Sequence, residues 1–174
     1  MRFLPAILIG TILLAATAPS IEYTHDGKLV LPKDYRQWTY LTSGLAMSYS
    51  PGAQDPANPM FDNVFVNPSS YQSFLKTGTW PDKTILVLEL RGSDNHASIT
   101  TSGRSQTTVT GLEVHVKDAS KGGWAFYNRE GALIPKTADC YSCHEKNGAV
   151  DTTFVQYYPT LIDIAKAKGT FKQP

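Results

Sequence analysis

The segment Leu112-Glu113-Val114-His115-Val116-Lys117 alternates apolar and polar side chains along its whole length. This period of two is typical of a β-strand with one face on a core and the other turned away from it. Residues 84–90 are strongly apolar and predict a more deeply buried strand. Further strands are predicted at residues 40–49, 63–66 and 124–127.

The segments between and after these strands predict helices and loops. Asn67 can cap a helix, Pro68 suits its first turn, and Gly78 can end it. Residues 92–108, rich in Ser, Thr and Gly, predict a long loop. From residue 138 onward the pattern is helical, with a break at Pro159. Strands that precede helices, with one helix inserted, predict an α+β fold with a mainly antiparallel sheet and a C-terminal helical segment.

Composition excludes several classes of protein. The 16 basic and 15 acidic side chains nearly cancel, so no electrostatic argument favours binding to nucleic acid. A hydrophobic share of 41% excludes a disordered chain. The chain has only 2 cysteines, too few for a disulfide-rich scaffold or a four-thiolate zinc site. The function of these cysteines is therefore the central question.

The N-terminus has the three parts of a secretory signal peptide. Arg2 supplies a positive charge, residues 3–14 are almost uninterruptedly apolar, and Ala16-Thr17-Ala18 offers a cleavage site. The apolar run is short for a membrane span, although an uncleaved anchor is the alternative. We therefore expect residues 1–20 to be a signal peptide and residues 21–174 to be one soluble, periplasmic domain without a membrane span.

Both cysteines fall in the segment Cys140-Tyr141-Ser142-Cys143-His144. Cys-x-x-Cys-His is the attachment motif of c-type haem. Two thiols three residues apart point the same way on a helix and can bond the two vinyl groups of one haem. The adjacent His144 can then bind the iron as the proximal ligand. The motif predicts one covalently bound haem c, with Cys140 and Cys143 as attachment residues.

Two other chemistries remain open for this motif. A redox-active disulfide between Cys140 and Cys143 is possible in an oxidising compartment, but it usually follows a strand of a βαβ unit, which this sequence lacks. A metal site is also possible. However, the adjacent residues Cys143 and His144 rarely both bind one tetrahedral ion, and there is no second cysteine pair.

The opposite side of the iron has several candidate ligands. We expect His25 and His96 to be solvated, and His115 to face away from the apolar side of its strand. Met47 fits core packing, and Met60, in a loop before a strand, is the best candidate of the five. Since none is a strong candidate, we expect five-coordinate iron that binds a small ligand.

The chain resembles the cytochrome P-460 family, including its gas-binding branch, cytochrome c′-beta. The resemblance covers most of the sequence after the signal peptide, and its pieces keep the family's order and spacing. It is carried by residues 29–38, 63–68 with Tyr71, 76–78, 111–113, 116–118, 124–127, 140–144, Phe154 and 158–159. The resemblance implies a largely antiparallel β fold, a homodimer, and a five-coordinate haem c attached through Cys140 and Cys143 with His144 on the iron.

The resemblance also points to one departure. Hydroxylamine-oxidising members carry a lysine that is bonded to the haem edge, and Leu88 stands at the matching position here. A leucine cannot form that carbon–nitrogen bond, and we expect Lys76 and Lys83 to be solvated. The departure places enzymatic activity in doubt.

Strand parity suggests a distal pocket. Leu86, Leu88 and Leu90 share one face of their strand, and Phe61 and Phe65 share a face of another and could cap the haem, although ordinary core packing would explain the same pattern. Glu113 is a weak catalytic candidate, since a carboxylate near the iron can move protons.

Three functions remain open. The first is binding of nitric oxide or a similar diatomic gas. The second is oxidation of hydroxylamine or another small nitrogen compound, with electrons passing to a redox partner cytochrome. The third is electron transfer through six-coordinate haem, with Met60 as the sixth ligand.

Overall fold

The computed structural model describes residues 20–50, 52 and 54–174, so the predicted signal peptide lies almost wholly outside the described residues. The strands are β1 (Thr39–Leu45), β2 (Phe61–Val66), β3 (Ile85–Asp94), β4 (Ser105–Asp118) and β5 (Gly123–Tyr127). The helices are α1 (Pro68–Thr77), α2 (Asp139–Asn147) and α3 (Ile162–Ala167). Short 3₁₀ turns span Tyr35–Gln37, Ser98–Thr100, Ala119–Lys121 and Val155–Tyr157.

The five strands form one sheet in chain order, β1-β2-β3-β4-β5, with antiparallel pairing throughout. The predicted α+β fold with an antiparallel sheet is thus confirmed. In the centre of the sheet Leu88 pairs with Val64 on one side and with Glu113 on the other. Paired residues project on the same side of a sheet, so these three side chains form one row.

The two faces of the sheet pack separate cores, whereas the alternation in β4 predicts a core on one face only. Val87, Val114 and Val116 are fully buried on one face, with Leu29 and Tyr35 over them; we call this the back core. The other face carries Val66, Leu86 and Phe126, against which α1, α2 and α3 pack; we call this the front core. Each fully buried aliphatic side chain stabilises the fold by about 1.5–3 kcal/mol, so both cores hold the sheet.

The first helix follows its sequence signals closely. Pro68 begins it, and Gly78 ends it in a left-handed conformation with φ of 74°. Asn67 occupies the cap position but its side chain makes no capping hydrogen bond. Its Oδ1 instead accepts a hydrogen bond from the backbone amide of Ile85 at 2.7 Å, which ties the helix start to β3.

The loop predicted over residues 92–108 is shorter in the structure. β3 continues to Asp94 and β4 begins at Ser105, so the two strands extend beyond the rest of the sheet as a hairpin. Backbone pairing within a hairpin does not need an apolar face, so the polar composition concealed these strand residues.

Among the described residues, no helix combines the length and apolar character needed to cross a membrane.

Candidate functional site

A cavity of about 430 Å³ opens on the front face of the sheet, beneath the C-terminal helical segment. Its lining is mostly apolar and comes from the strands, the segment after β1, and residues around α2 and the last 3₁₀ turn. The lining residues used below are Met47, Tyr49, Asp62, Val64, Leu86, Leu88, Glu113, His115, His144, Phe154 and Tyr157.

The segment Cys140-Tyr141-Ser142-Cys143-His144 lies on α2. Cys143 and His144 lie three and four residues after Cys140, and Asn147 lies four and three residues after them, so all four share one side of the helix. Both thiols are free and partly buried. Cys140 packs against the front core, and Asn147 donates a hydrogen bond to the Cys143 carbonyl at 2.9 Å. The helix thus presents two thiols and one imidazole together.

The His144 ring is held in one tautomer. Its Nδ1 lies 2.9 Å from the carbonyl oxygen of Thr152. A carbonyl can only accept, so Nδ1 carries the proton and Nε2 keeps a free lone pair. Burial, together with a smaller effect of nearby His115, lowers the pKa of His144 to about 4. The imidazole is therefore neutral at physiological pH, the form that binds a metal.

Aromatic rings enclose His144 on several sides. The ring centroids of Phe154, Phe126 and His115 lie 4.4, 4.8 and 4.9 Å from its own. His115 in turn stacks on Phe126 with centroids 3.7 Å apart. These contacts limit rotation of the imidazole and fix the direction in which Nε2 points.

The cavity wall also carries polar groups. Asp62 and Glu113 project into it from β2 and β4, and His115 lies beside Glu113 with Nε2 3.9 Å from a carboxylate oxygen. Burial, with a smaller contribution from the Glu113 charge, raises the pKa of Asp62 to about 6 against an opposing interaction with the Met47 backbone. Interaction with His115 lowers the pKa of Glu113, against an opposing effect of burial. The two carboxyl groups therefore differ in their readiness to hold a proton.

Two side-chain atoms of this wall are buried without a hydrogen-bond partner among the described residues, Asp62 Oδ2 and His115 Nε2. His115 is only 8% exposed. Buried polar atoms are usually hydrogen-bonded, so orphaned atoms at a cavity are consistent with a site that receives a further group.

The structure brings most of the predicted site residues to this cavity. Leu88, Glu113 and His144 line it, and Cys140 and Cys143 share the helix side of His144. Glu113 was expected on sequence grounds either as an exposed strand residue or as a pocket carboxylate. Its side chain is 42% exposed and lines the cavity, so it combines both descriptions.

Phe61 is the exception, because it is not among the residues that line the cavity. β2 is regular, so Phe61 shares a face with Phe65, which packs against Tyr35 in the back core. Asp62 and Val64 project to the cavity instead. The parity of the two phenylalanines was right, but sequence alone did not say which face of β2 bears the pocket.

Some of the candidate sixth ligands also lie in surroundings that differ from those expected. His25 and His96 are exposed, as expected. His115 does face away from Val114 and Val116, but that side of β4 is buried too. Met60 does not line the cavity, and its sulfur accepts a hydrogen bond from Thr110 at 3.5 Å. Met47, expected in a core, is 42% exposed at the cavity rim.

Two contributors to the site, Asp62 and the Thr152 carbonyl, are not predicted from the sequence. The sequence signal for Asp62 is its spacing, because residues 62, 64 and 66 lie on one face of β2. The Thr152 carbonyl had no signal, because a backbone acceptor is placed by the path of the chain and not by residue type.

Comparison with protein families gives a match to the model described as Cytochrome P460, over residues 32–155. The chain belongs to the cytochrome P460 family. The match spans most of the described residues and includes all five strands and the helix that carries Cys140, Cys143 and His144. A search of curated proteins found no match. Cytochrome P460 membership implies a haem cofactor and makes the chain a haem protein of the cytochrome P460 or c′ type.

The cavity has the properties that a haem requires. A volume of about 430 Å³ lies within the roughly 300–1,000 Å³ usual for small-molecule and cofactor sites. The wall is mainly apolar, one neutral imidazole faces it with a free nitrogen, and two thiols share the helix that bears this imidazole. The residues present therefore fit the group that the family implies.

Proposed function

We propose that the chain is an exported, mono-haem c-type cytochrome with five-coordinate iron that binds nitric oxide or a similar diatomic ligand, as in the cytochrome c′-beta branch. Cys140 and Cys143 would hold the haem covalently, and His144 would bind the iron. The observation that carries this proposal is the His144 imidazole, which lines a mainly apolar cavity and bonds Thr152 through Nδ1, so that Nε2 is left free.

The positions of other potential ligands support an open sixth site. Two imidazoles on opposite sides of one metal, with metal–nitrogen bonds of about 2 Å, have centroids roughly 6 Å apart. The His115 and His144 centroids are 4.9 Å apart in a T-shaped contact, so His115 lies beside His144 and not opposite it. The Met47 sulfur rests against Gly44 of β1, and Met60 is outside the lining.

The wall composition favours a diatomic ligand. Val64, Leu86 and Leu88 form an apolar surface at the centre of the cavity. A strongly polar ligand loses its contacts with water there without replacing them, whereas a diatomic gas has few to lose. In this scheme the haem supplies the iron that binds the gas, and the protein positions His144 and keeps the site apolar.

The loaded protein provides the test. The full chain, expressed with haem-attachment machinery, should show a five-coordinate ferrous spectrum and should bind nitric oxide and carbon monoxide. Cys140→Ser and Cys143→Ser should each weaken covalent attachment on denaturing gels, whereas Ser142→Ala on the exposed side of α2 should leave it unchanged. A low-spin ferrous spectrum, or complete haem loss from the unaltered protein on denaturation, would overturn the proposal.

The second candidate is oxidation of hydroxylamine or a related nitrogen compound. Asp62 and Glu113 favour it, because two carboxyl groups of different pKa at one cavity can accept protons from a substrate. Leu88 stands against the cross-linked form of this chemistry. Steady-state turnover of hydroxylamine with an electron acceptor would establish it, and Glu113→Gln should then reduce the rate.

Export, assembly and partners belong to the same proposal. We propose cleavage of residues 1–20, a periplasmic domain over residues 21–174, a homodimer, and electron exchange with another cytochrome. Mass spectrometry of the secreted protein tests the cleavage, and analytical ultracentrifugation tests the homodimer.

A further inference from the structure

The chain makes an unusual turn just after α2. Val150 and Thr153 form an antiparallel bridge, and the two residues between them, Asp151 and Thr152, have φ of 50° and 59°. Positive φ at both central positions is the signature of a type I′ turn, which strongly prefers Asn-Gly or Asp-Gly. Thr152 occupies the glycine position, where its branched Cβ makes a left-handed backbone unfavourable.

Contacts from distant parts of the chain hold this turn in place. Lys117 of β4 extends its Nζ to Asp151 Oδ2 at 2.5 Å and to the Trp80 carbonyl at 2.7 Å. The Trp80 indole donates to Thr153 Oγ1 at 2.8 Å. On the helix side, Gly148 allows close approach, since a Cβ there would lie 2.5 Å from the Thr152 carbonyl carbon.

The turn ends in a contact with the site. The Thr152 carbonyl is the acceptor for His144 Nδ1–H at 2.9 Å. Its position depends directly on the φ angle of Thr152, so the strained conformation and the hydrogen bond form together. Strained backbone persists where surrounding contacts over-determine it, and such sites often serve function.

We propose that Lys117 and the strained Asp151–Thr152 turn are positioning elements for the iron ligand, which set the strength of the His144 Nδ1–H hydrogen bond. The inference rests on the proposed function, in which His144 binds iron. A hydrogen bond to the outer nitrogen of a metal-bound histidine fixes its tautomer and raises its basicity. A firmly held acceptor therefore strengthens the iron–histidine bond and favours ferric iron.

The test is resonance Raman spectroscopy of the iron–histidine stretch in the ferrous holoprotein, together with the reduction potential. Lys117→Met keeps the aliphatic stem but removes the ammonium group, and should lower the stretching frequency and shift the potential upward. Lys83→Met is the matched control. The Lys83 ammonium pairs with Asp118 at 2.6 Å and not with Asp151 of the turn, so its loss should leave both readings unchanged.

A rescue variant separates positioning from general damage. Glycine is favoured at the second position of a type I′ turn, so Thr152→Gly keeps the carbonyl and relieves the strain. Alone it should raise the melting temperature with the stretch unchanged, and in the Lys117→Met background it should restore the original frequency. An unchanged frequency in Lys117→Met, or failure of Thr152→Gly to restore it, would overturn the inference. Absence of any iron–histidine stretch in the unaltered protein would instead refute the proposed function.

Discussion

Glu89 of β3 offers the sharpest test of how the cavity wall is supported. It lies next to Leu88 in sequence but faces the back core, where it is 1% exposed. Tyr35 and Arg91 donate hydrogen bonds to its carboxylate, and Arg36 contributes Nε at 2.8 Å and Nη2 at 2.6 Å. This network ties the 3₁₀ turn before β1 to the strand behind the pocket.

The magnitude follows from the pKa of this carboxyl group. Burial alone would raise it, but the hydrogen bonds from Arg91, Tyr35 and Arg36 outweigh burial and hold the pKa at about 2, below the ordinary value of 4.5. Each pKa unit is about 1.4 kcal/mol, so the ionised form contributes about 3 kcal/mol to the free energy of unfolding. Because the folded-state pKa is lowered, this contribution is present above about pH 4.5 and is lost as the pH falls toward 2.

The perturbation is Glu89→Gln, which keeps the shape and removes the charge. Urea unfolding of the holoprotein, followed by far-ultraviolet circular dichroism between pH 7 and pH 2, measures the difference from the unaltered protein. We expect a loss of about 3 kcal/mol at pH 7 that shrinks below about 1 kcal/mol near pH 2. Glu130→Gln is the control, since Glu130 is exposed and its pair with Arg129 is worth at most about 1 kcal/mol. A difference that stays constant with pH would contradict this role of the Glu89 charge.

Two further predictions concern the site itself. Gly148→Ala would place a Cβ 2.5 Å from the Thr152 carbonyl carbon and 2.7 Å from the His144 carbonyl oxygen, and should destabilise the holoprotein by about 1–3 kcal/mol. Thermal melting measures this against the control Gly103→Ala, where the added methyl group meets open space. Equal melting temperatures for the two variants would contradict the prediction. Leu88→Lys should gain a covalent bond to the haem under peroxide, which intact mass detects as a loss of hydrogens. Leu90→Lys, at a position outside the cavity lining, should form no such bond. An unchanged mass for Leu88→Lys would show that position 88 does not reach the haem edge.

Local patterns predicted the fold well where burial and backbone conformation agree with residue type. The alternation in β4 identified a strand with two different faces, and Pro68 and Gly78 marked the ends of α1. The cysteine motif identified the helix that presents His144. These features depend on neighbours in sequence, so the sequence contains them directly.

The remaining features depend on contacts between distant segments. Parity placed Phe61 and Phe65 on one face, but only the packing of Tyr35 over Phe65 assigns that face to the back core. The Thr152 carbonyl reaches His144 because Lys117 and Trp80 hold its turn from other elements. Such arrangements come from the tertiary fold, and no local pattern encodes them.

The division of the sheet into two separately packed faces has a consequence for how this protein can change over generations. Leu88 and Glu113 face the cavity, whereas Val87, Glu89 and Val114, their neighbours in the chain, belong to the back core. Substitutions in the cavity wall therefore leave the back core intact, because alternate side chains of one strand contact opposite faces of the sheet. A lineage can therefore change the cavity wall, for example at position 88, on an unaltered scaffold.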